Sequence, residues 1–174
     1  MIATWRAMLQ QDAGAIHELS ERVHPDYPED RSVFEEKLRL FPFGCLTLDN
    51  DDGRVIGYCF SHPWTKGVPP ALDAPLNALP KVPTTYFIHD VAVDPAWQKR
   101  GSVVDLMPII ADVTRLCRLR HQTLVAVHHT EAFWKRFGFI ETPDKTLQVA
   151  VREKYSAEST HMEAQIDAHF ATGS

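Results

Sequence analysis

One segment constrains the fold of this chain more than any other. Tyr86 to Val93 is a run rich in aromatic and β-branched residues, which reads as a buried strand. Asp94-Pro95 ends it, because proline lacks a backbone donor and restricts the residue before it. Gln98-Lys99-Arg100-Gly101 follows. Leu106, Ile109, Val113 and Cys117 then recur at helical spacing. A buried strand that turns through a basic, glycine-containing loop into an amphipathic helix belongs in an α/β protein.

The flanking sequence supplies the rest of such a domain. Ala3 to Leu9 reads as a first strand. Asp12 is placed to cap a helix that carries Ile16, Leu19 and Val23 on one face and stops at His24-Pro25-Asp26-Tyr27-Pro28. Ser32-Val33-Phe34-Glu35 has the form of a capping box, with Phe34, Leu38 and Phe41 on one face of a second helix. Cys45 to Leu48 and Val55 to Phe60 flank an acidic turn and predict a β-hairpin. That turn is no calcium loop, since Arg54 and Phe60 stand where glycine and glutamate are required. The proline-rich stretch from Ser61 to Thr85 predicts a long loop, and Trp64, Leu72, Leu76 and Leu79 give it enough apolar surface to be ordered.

Beyond the central helix, Thr123 to Val127 predicts a buried strand. Thr130 is placed to cap a short helix from Glu131 to Phe137, closed by Gly138. Leu147, Val149 and Val151 alternate, so Thr146 to Val151 is expected to be a strand. From Tyr155 the chain is polar, and the spacing of Met162, Ile166 and Phe170 suits one helix. The expectation is one α/β domain over residues 1–155, built around a mixed sheet, with 156–174 as a tail or short helix.

Composition excludes several functions. The 174 residues carry a net charge of −5 with the nine histidines neutral, which disfavours nucleic-acid binding and attachment to anionic membrane surfaces. No segment reads as a signal peptide or a membrane helix, so the expected location is the cytoplasm. Three widely spaced cysteines, Cys45, Cys59 and Cys117, make neither a disulfide framework nor a structural zinc site. His128-His129 has no third ligand at metal spacing, and no metal is expected.

The loop before the central helix suits an anion. A helix start presents unpaired N–H groups and a partial positive charge, Gly101 permits close approach to the backbone, and Lys99 and Arg100 add countercharge. It is neither a Walker A loop nor a Rossmann fingerprint. Composition alone leaves an ordinary turn with solvated Lys and Arg equally open.

Two blocks resolve that choice. Val93-Asp94-Pro95 followed by Gln98-Lys99-Arg100-Gly101-Ser102-Val103 resembles the pyrophosphate loop of the GNAT superfamily of N-acetyltransferases. Phe133-Trp134-Lys135-Arg136-Phe137-Gly138-Phe139 resembles the second block of that family. The two stand in the family's order and separation, and the resemblance covers about residues 3–152. It implies a mixed, mostly antiparallel central sheet flanked by helices. It also implies acetyl-CoA as cosubstrate and direct attack by an amine, from a small molecule or a peptide, in a ternary complex. The implied coenzyme contacts are Val91, Ala92, Val93, Gln98, Lys99, Arg100, Gly101, Ser102, Val103, His129, Trp134 and Arg136, with Lys135 beside them. The family also allows a homodimer. A catalytically impaired coenzyme A-binding module is the alternative. It is motivated by Val103 where the family prefers Gly or Ala, by Pro108 inside the helix, which is expected to kink it or shift its start, and by Trp134 where many members carry an acidic Tyr.

An attacking amine must be neutral, so a proton acceptor is needed near the thioester. His89 and Asp90 interrupt an otherwise apolar strand and are the leading catalytic candidates, followed by His129 with its neighbour His128. Strand alternation places His89 and Asp90 on opposite faces unless a bulge re-aims both. Trp64, Tyr27 and Asp73 are candidate contacts on the acceptor side.

Overall fold

The computed structural model of the chain describes residues 2–167. Its strands are β1 Ala3–Ala7, β2 Cys45–Asn50, β3 Val55–Trp64, β4 Thr85–Val93, β5 His121–Ala126, β6 Ile140–Glu141 and β7 Thr160–Gln165. The helices are α1 Ala13–Val23, α2 Arg31–Leu40, α3 Ser102–Leu116, α4 Glu131–Lys135 and α5 Lys145–Lys154. The strands form one sheet in the order β1-β2-β3-β4-β5-β7-β6, and every pairing is antiparallel except β4 with β5. This is the mixed, mostly antiparallel sheet expected from sequence.

The apolar periodicities explain the layers. Ile16 and Leu19 of α1 and Phe34 and Leu38 of α2 pack on Tyr58, Phe60 and Ala92 on one face of the sheet. Leu106 and Ile110 of α3 pack with Trp134 and Phe139 on Ile88 and Leu124 of the other face. The helix α3 begins at Ser102 and runs through Pro108, so the proline does not shift its start.

Several local expectations need correction. Thr146 to Val151 lies in α5 rather than in a strand: Leu147 and Val151 are buried one turn apart, whereas Val149 is exposed. Asp144 caps that helix by accepting from the Leu147 amide. The residues expected in a tail helix instead supply β7, which pairs with β5 and buries Met162 and Ala164 at strand spacing. Phe170 lies outside the described residues. The cap of α2 is Asp30, whose side chain accepts from Ser32 N, and Glu35 pairs with Arg31 instead of closing a box. Asp12 makes no side-chain cap for α1; its carboxylate takes the Leu9 amide and both ends of Arg6. Thr130 likewise makes no side-chain cap for α4 and donates to Val127 O.

The long loop is ordered, as expected, though β3 claims its first four residues and leaves 65–84. Glu36 of α2 holds it from below by accepting from the amides of Leu76 and Asn77 at 2.7 and 3.0 Å. Lys154 and Tyr155 hold it from the side by donating to the carbonyls of Pro69 and Pro70. Glu36→Ala removes both acceptors at once. The expected result is loss of hydrogen-exchange protection at the Leu76 amide and a stability loss of about 1–3 kcal/mol in urea unfolding.

Candidate functional site

The site begins where two strands part. The parallel strands β4 and β5 are in register only over Tyr86–Ile88 and Gln122–Leu124. From His89 onward β4 has no strand partner on that side among the described residues, although it continues to Val93. The resulting cleft measures about 960 Å³ and extends from the start of α3 to the connection between α1 and α2.

At one end the cleft meets the N-terminus of α3. Gly101 caps that helix in the left-handed region, with φ of 88°, and Lys99 before it has φ of 63°. A side chain at Gly101 would meet nothing within 4 Å, so the glycine is required by its backbone angle rather than by space. Trp5 Nε1 donates to Ser102 O at 2.7 Å and fixes the first turn. Gln98 Nε2 donates to Val93 O at 3.0 Å and fastens the loop to β4. The side chain of Val103 packs against the apolar cluster of Leu48, Ile56 and Val93, which anchors it on the sheet side of the helix.

Of the expected coenzyme contacts, Val91, Ala92, Val93, Gln98, Lys99, Gly101, Ser102, Val103, Trp134 and Arg136 line the cleft. Arg100 does not; its guanidinium stacks over Trp97 at 4.9 Å and donates to Ala96 O. Lys135 is also absent from the lining. His129 stands outside, 76% exposed, with Nε2 2.8 Å from Glu158 Oε2. His128 and His129 have φ of 52° and 57°, a reversal that turns the first towards the cleft and the second away.

At the other end a β-bulge decides which side chains line the cleft. Phe60 pairs with Asp90 and Ser61 with Ile88, which leaves His89 as the extra residue. The bulge puts His89 and Asp90 on the same face, with Phe87 before them and Ala92 after them. Both line the cleft. Their partners differ. Asp90 Oδ2 accepts from Tyr58 Oη at 2.7 Å, and Oδ1 lies 3.2 Å from His24 Nε2. Burial and the Asp90 carboxylate hold the Tyr58 phenol well above its usual value, so it remains a donor. Burial works against a charged His24 ring, but the charge of Asp90 outweighs it and raises the His24 pKa. His24 stacks on His128 at 5.8 Å and 3°, and Tyr27 meets His128 edge-on at 5.0 Å.

His89 is the more deeply buried of the pair. Its Nε2 lies 3.4 Å from Glu29 Oε1, while Glu29 Oε2 accepts from Lys37 Nζ at 3.1 Å. All three side chains are at most 6% exposed. Burial and the nearby Lys37 charge lower the His89 pKa despite Glu29, which keeps the ring neutral. The sequence reading missed His24, Glu29, Lys37, Tyr58 and Tyr155. Only Lys37 left a signal: it falls one turn before Phe41, on the apolar side of α2. Of the acceptor-side candidates, Tyr27 lines the cleft, Asp73 accepts from the Asp30 amide, and Trp64 donates to Val68 O within its own turn.

Comparison with known proteins matches the Acetyltransferase (GNAT) family over residues 8–139. The chain belongs to the GNAT acetyltransferase family. Among solved GNAT-like folds, the ribosomal-protein-S18-alanine N-acetyltransferase of Escherichia coli superposes with a TM-score of 0.65 at 14% identity, covering 99% of each chain. The NatC complex bound to Gag peptide and CoA gives 0.72 at 14% identity, covering 96% of this chain and 100% of that one. A GNAT-like decarboxylase, GphF, in complex with isobutyryl-CoA gives 0.73 at 12% identity, covering 94% and 100%. No curated protein sequence matches significantly. At these identities the structures establish the GNAT fold. The coenzyme complexes among them are consistent with CoA binding here. No helix among the described residues is long and apolar enough to cross a membrane.

Proposed function

We propose that the protein transfers the acetyl group of acetyl-CoA to a primary amine by direct attack within a ternary complex. The observation that carries this reading is one cleft that runs from the start of α3 to the His24–Asp90 pair. The free edge of β4 over Val91–Val93 suits a pantetheine arm, which carries amide groups of its own. The amides at the start of α3, with Lys99 and Arg136 nearby, suit its pyrophosphate. Bound acetyl-CoA would supply the electrophilic thioester. The chain's part is to hold the amine beside it and to take its proton.

The proton acceptor in this reading is His24, with Asp90 holding it in place and Tyr58 holding Asp90. His24 and Asp90 line the cleft at its acceptor end. His89 belongs to the buried Lys37–Glu29–His89 network behind them. The impaired-module alternative is weakened, because α3 starts at Ser102 despite Pro108, and Val103, although it lines the cleft, also packs against the apolar cluster.

Two measurements test the reading. In a thiol-release screen over amines, polyamines, amino acids, peptides and proteins, CoA should appear in proportion to acetylated product. No release above hydrolysis with any class would overturn it. Calorimetry with CoA tests the helix start. Gly101→Val forces a β-branched residue to positive φ, at a cost of about 1–2 kcal/mol, so Kd for CoA should rise about 10-fold. An unchanged Kd would remove the loop from the coenzyme site.

A further inference from the structure

We propose that the acceptor is a small primary amine without a carboxylate and with an apolar or aromatic body, bound in a chamber too closed for a polypeptide. This rests on the acetyl-transfer reading above and narrows its substrate.

The first argument is closure. Three segments far apart in sequence meet around the acceptor end and are bonded to one another. Tyr27 Oη donates to Ser156 Oγ at 2.8 Å, and the Asp30 amide donates to Asp73 at 2.6 Å. Lys154 Nζ donates to Pro69 O at 2.7 Å, and Tyr155 Oη donates to Pro70 O. The α1–α2 connection, the long loop and the end of α5 are thereby laced together. A polypeptide acceptor must leave between two such segments, and an extended chain needs about the 4.8 Å of a strand spacing plus partners for its own backbone. Here the bridging bonds already engage those segments.

The second argument is charge. Asp26, Glu29 and Asp90 line the acceptor end. Lys37 is 1% exposed and committed to Glu29. Arg22, which lines the cleft, pairs with Asp94 at 3.5 Å. A substrate carboxylate at this end would leave water to lie among Asp26, Glu29 and Asp90, whereas a protonated amine arriving from solvent is attracted.

The third argument is the wall. The stacked rings of His24 and His128, the edge of Tyr27 and the side chains of Leu72 and Phe87 offer an apolar and aromatic surface. Two of the histidines that line this end, His24 and His89, each bury an Nδ1 without a hydrogen-bond partner. With Nε2 of His89 turned to Glu29 and that ring neutral, its Nδ1 is an acceptor and suits a donor on the ligand, the amine included.

Matched acceptors test this. Three amines (2-phenylethylamine, tyramine and pentylamine) are compared with phenylalanine, tyrosine and norleucine, which add only the α-carboxylate. Each amino acid is also presented as the first residue of a hexapeptide. In the best set the amine should exceed both counterparts in kcat/KM by at least about 30-fold, as expected for an unpaired like charge within about 8 Å in a partly buried site. In Leu72→Arg, which adds a cation at this end, the gap between amino acid and amine should shrink about 10-fold, chiefly through the KM of the amino acid. Equal or better turnover of amino acid or peptide overturns the inference and leaves acetyl transfer standing. So does transfer confined to acceptors outside these sets in the broader screen. Absence of transfer to every class overturns the acetyl-transfer reading itself.

Discussion

Glu29→Ala is expected to lower the unfolding free energy by about 3–5 kcal/mol, the range seen when one member of a buried ion pair is removed. For a chain of this length that means a fall in Tm of roughly 10 °C or more. The reason lies in what remains. Lys37 Nζ, on a side chain 1% exposed, loses the carboxylate 3.1 Å away, and His89 loses the carboxylate 3.4 Å from its Nε2. Lys37 is packed between α2 and the sheet and has no other carboxylate in reach among the ion pairs of the described residues. Glu29→Gln serves as the control for volume: it leaves no cavity but still strands the Lys37 charge, so it should recover only part of the loss. Equal stability of Glu29→Ala and wild type in urea would show that the network contributes nothing.

The same network sets an acid limit. Burial pushes the Glu29 carboxyl up, but His89 and Lys37 outweigh it and hold it down to about 2, against an ordinary 4.5. A depressed carboxylate contributes stability that is fully present above its unfolded value and lost as pH falls through its folded one. Wild-type stability should therefore decline between about pH 4.5 and about pH 2. In Glu29→Ala that part of the decline should be missing.

The parts of this protein that were legible in sequence are those set by neighbours along the chain. The hairpin of β2 and β3, the strand β4 and the turn into α3 each carry their own punctuation. Two segments were misread because their patterns fit both periods. Leu147 and Val151 satisfy strand alternation and helical spacing alike, and the exposure of Val149 settles the matter only in three dimensions. Met162 and Ile166 fit a helix, yet the space between β5 and β6 accepts only a strand. The end of the cleft at α3 was largely readable because one continuous segment, Val91 to Val103, builds most of it. The acceptor end was not. It assembles His24 and Glu29 from the α1–α2 connection, Tyr58 from β3, Asp90 from β4 and Tyr155 from the end of α5. The one feature that puts His89 and Asp90 on a common face is a bulge, fixed by the register of β3 against β4 and invisible in either strand alone.

That bulge leads to the second large effect. Asp90→Asn is expected to lower kcat/KM at neutral pH by about 100-fold or more, within the range that a positioned acid or base contributes. Loss of rate alone would not separate a positioning role from damage to the strand, but the pH profile does. His24 must be neutral to take a proton, so activity falls as pH drops through its folded pKa. In the wild type, Asp90 raises that pKa above the usual 6.5. Asparagine keeps the shape and removes the charge, leaving burial, which lowers the pKa, as the dominant influence. The acid limb of kcat/KM should therefore move to lower pH while the maximum rate falls. His24→Ala should show a comparable loss with no such limb. The double variant should be little worse than either single one, because the two residues act as a unit. An acid limb unmoved in Asp90→Asn would overturn the pairing of Asp90 with His24 and return the search for the proton acceptor to His89 and His128.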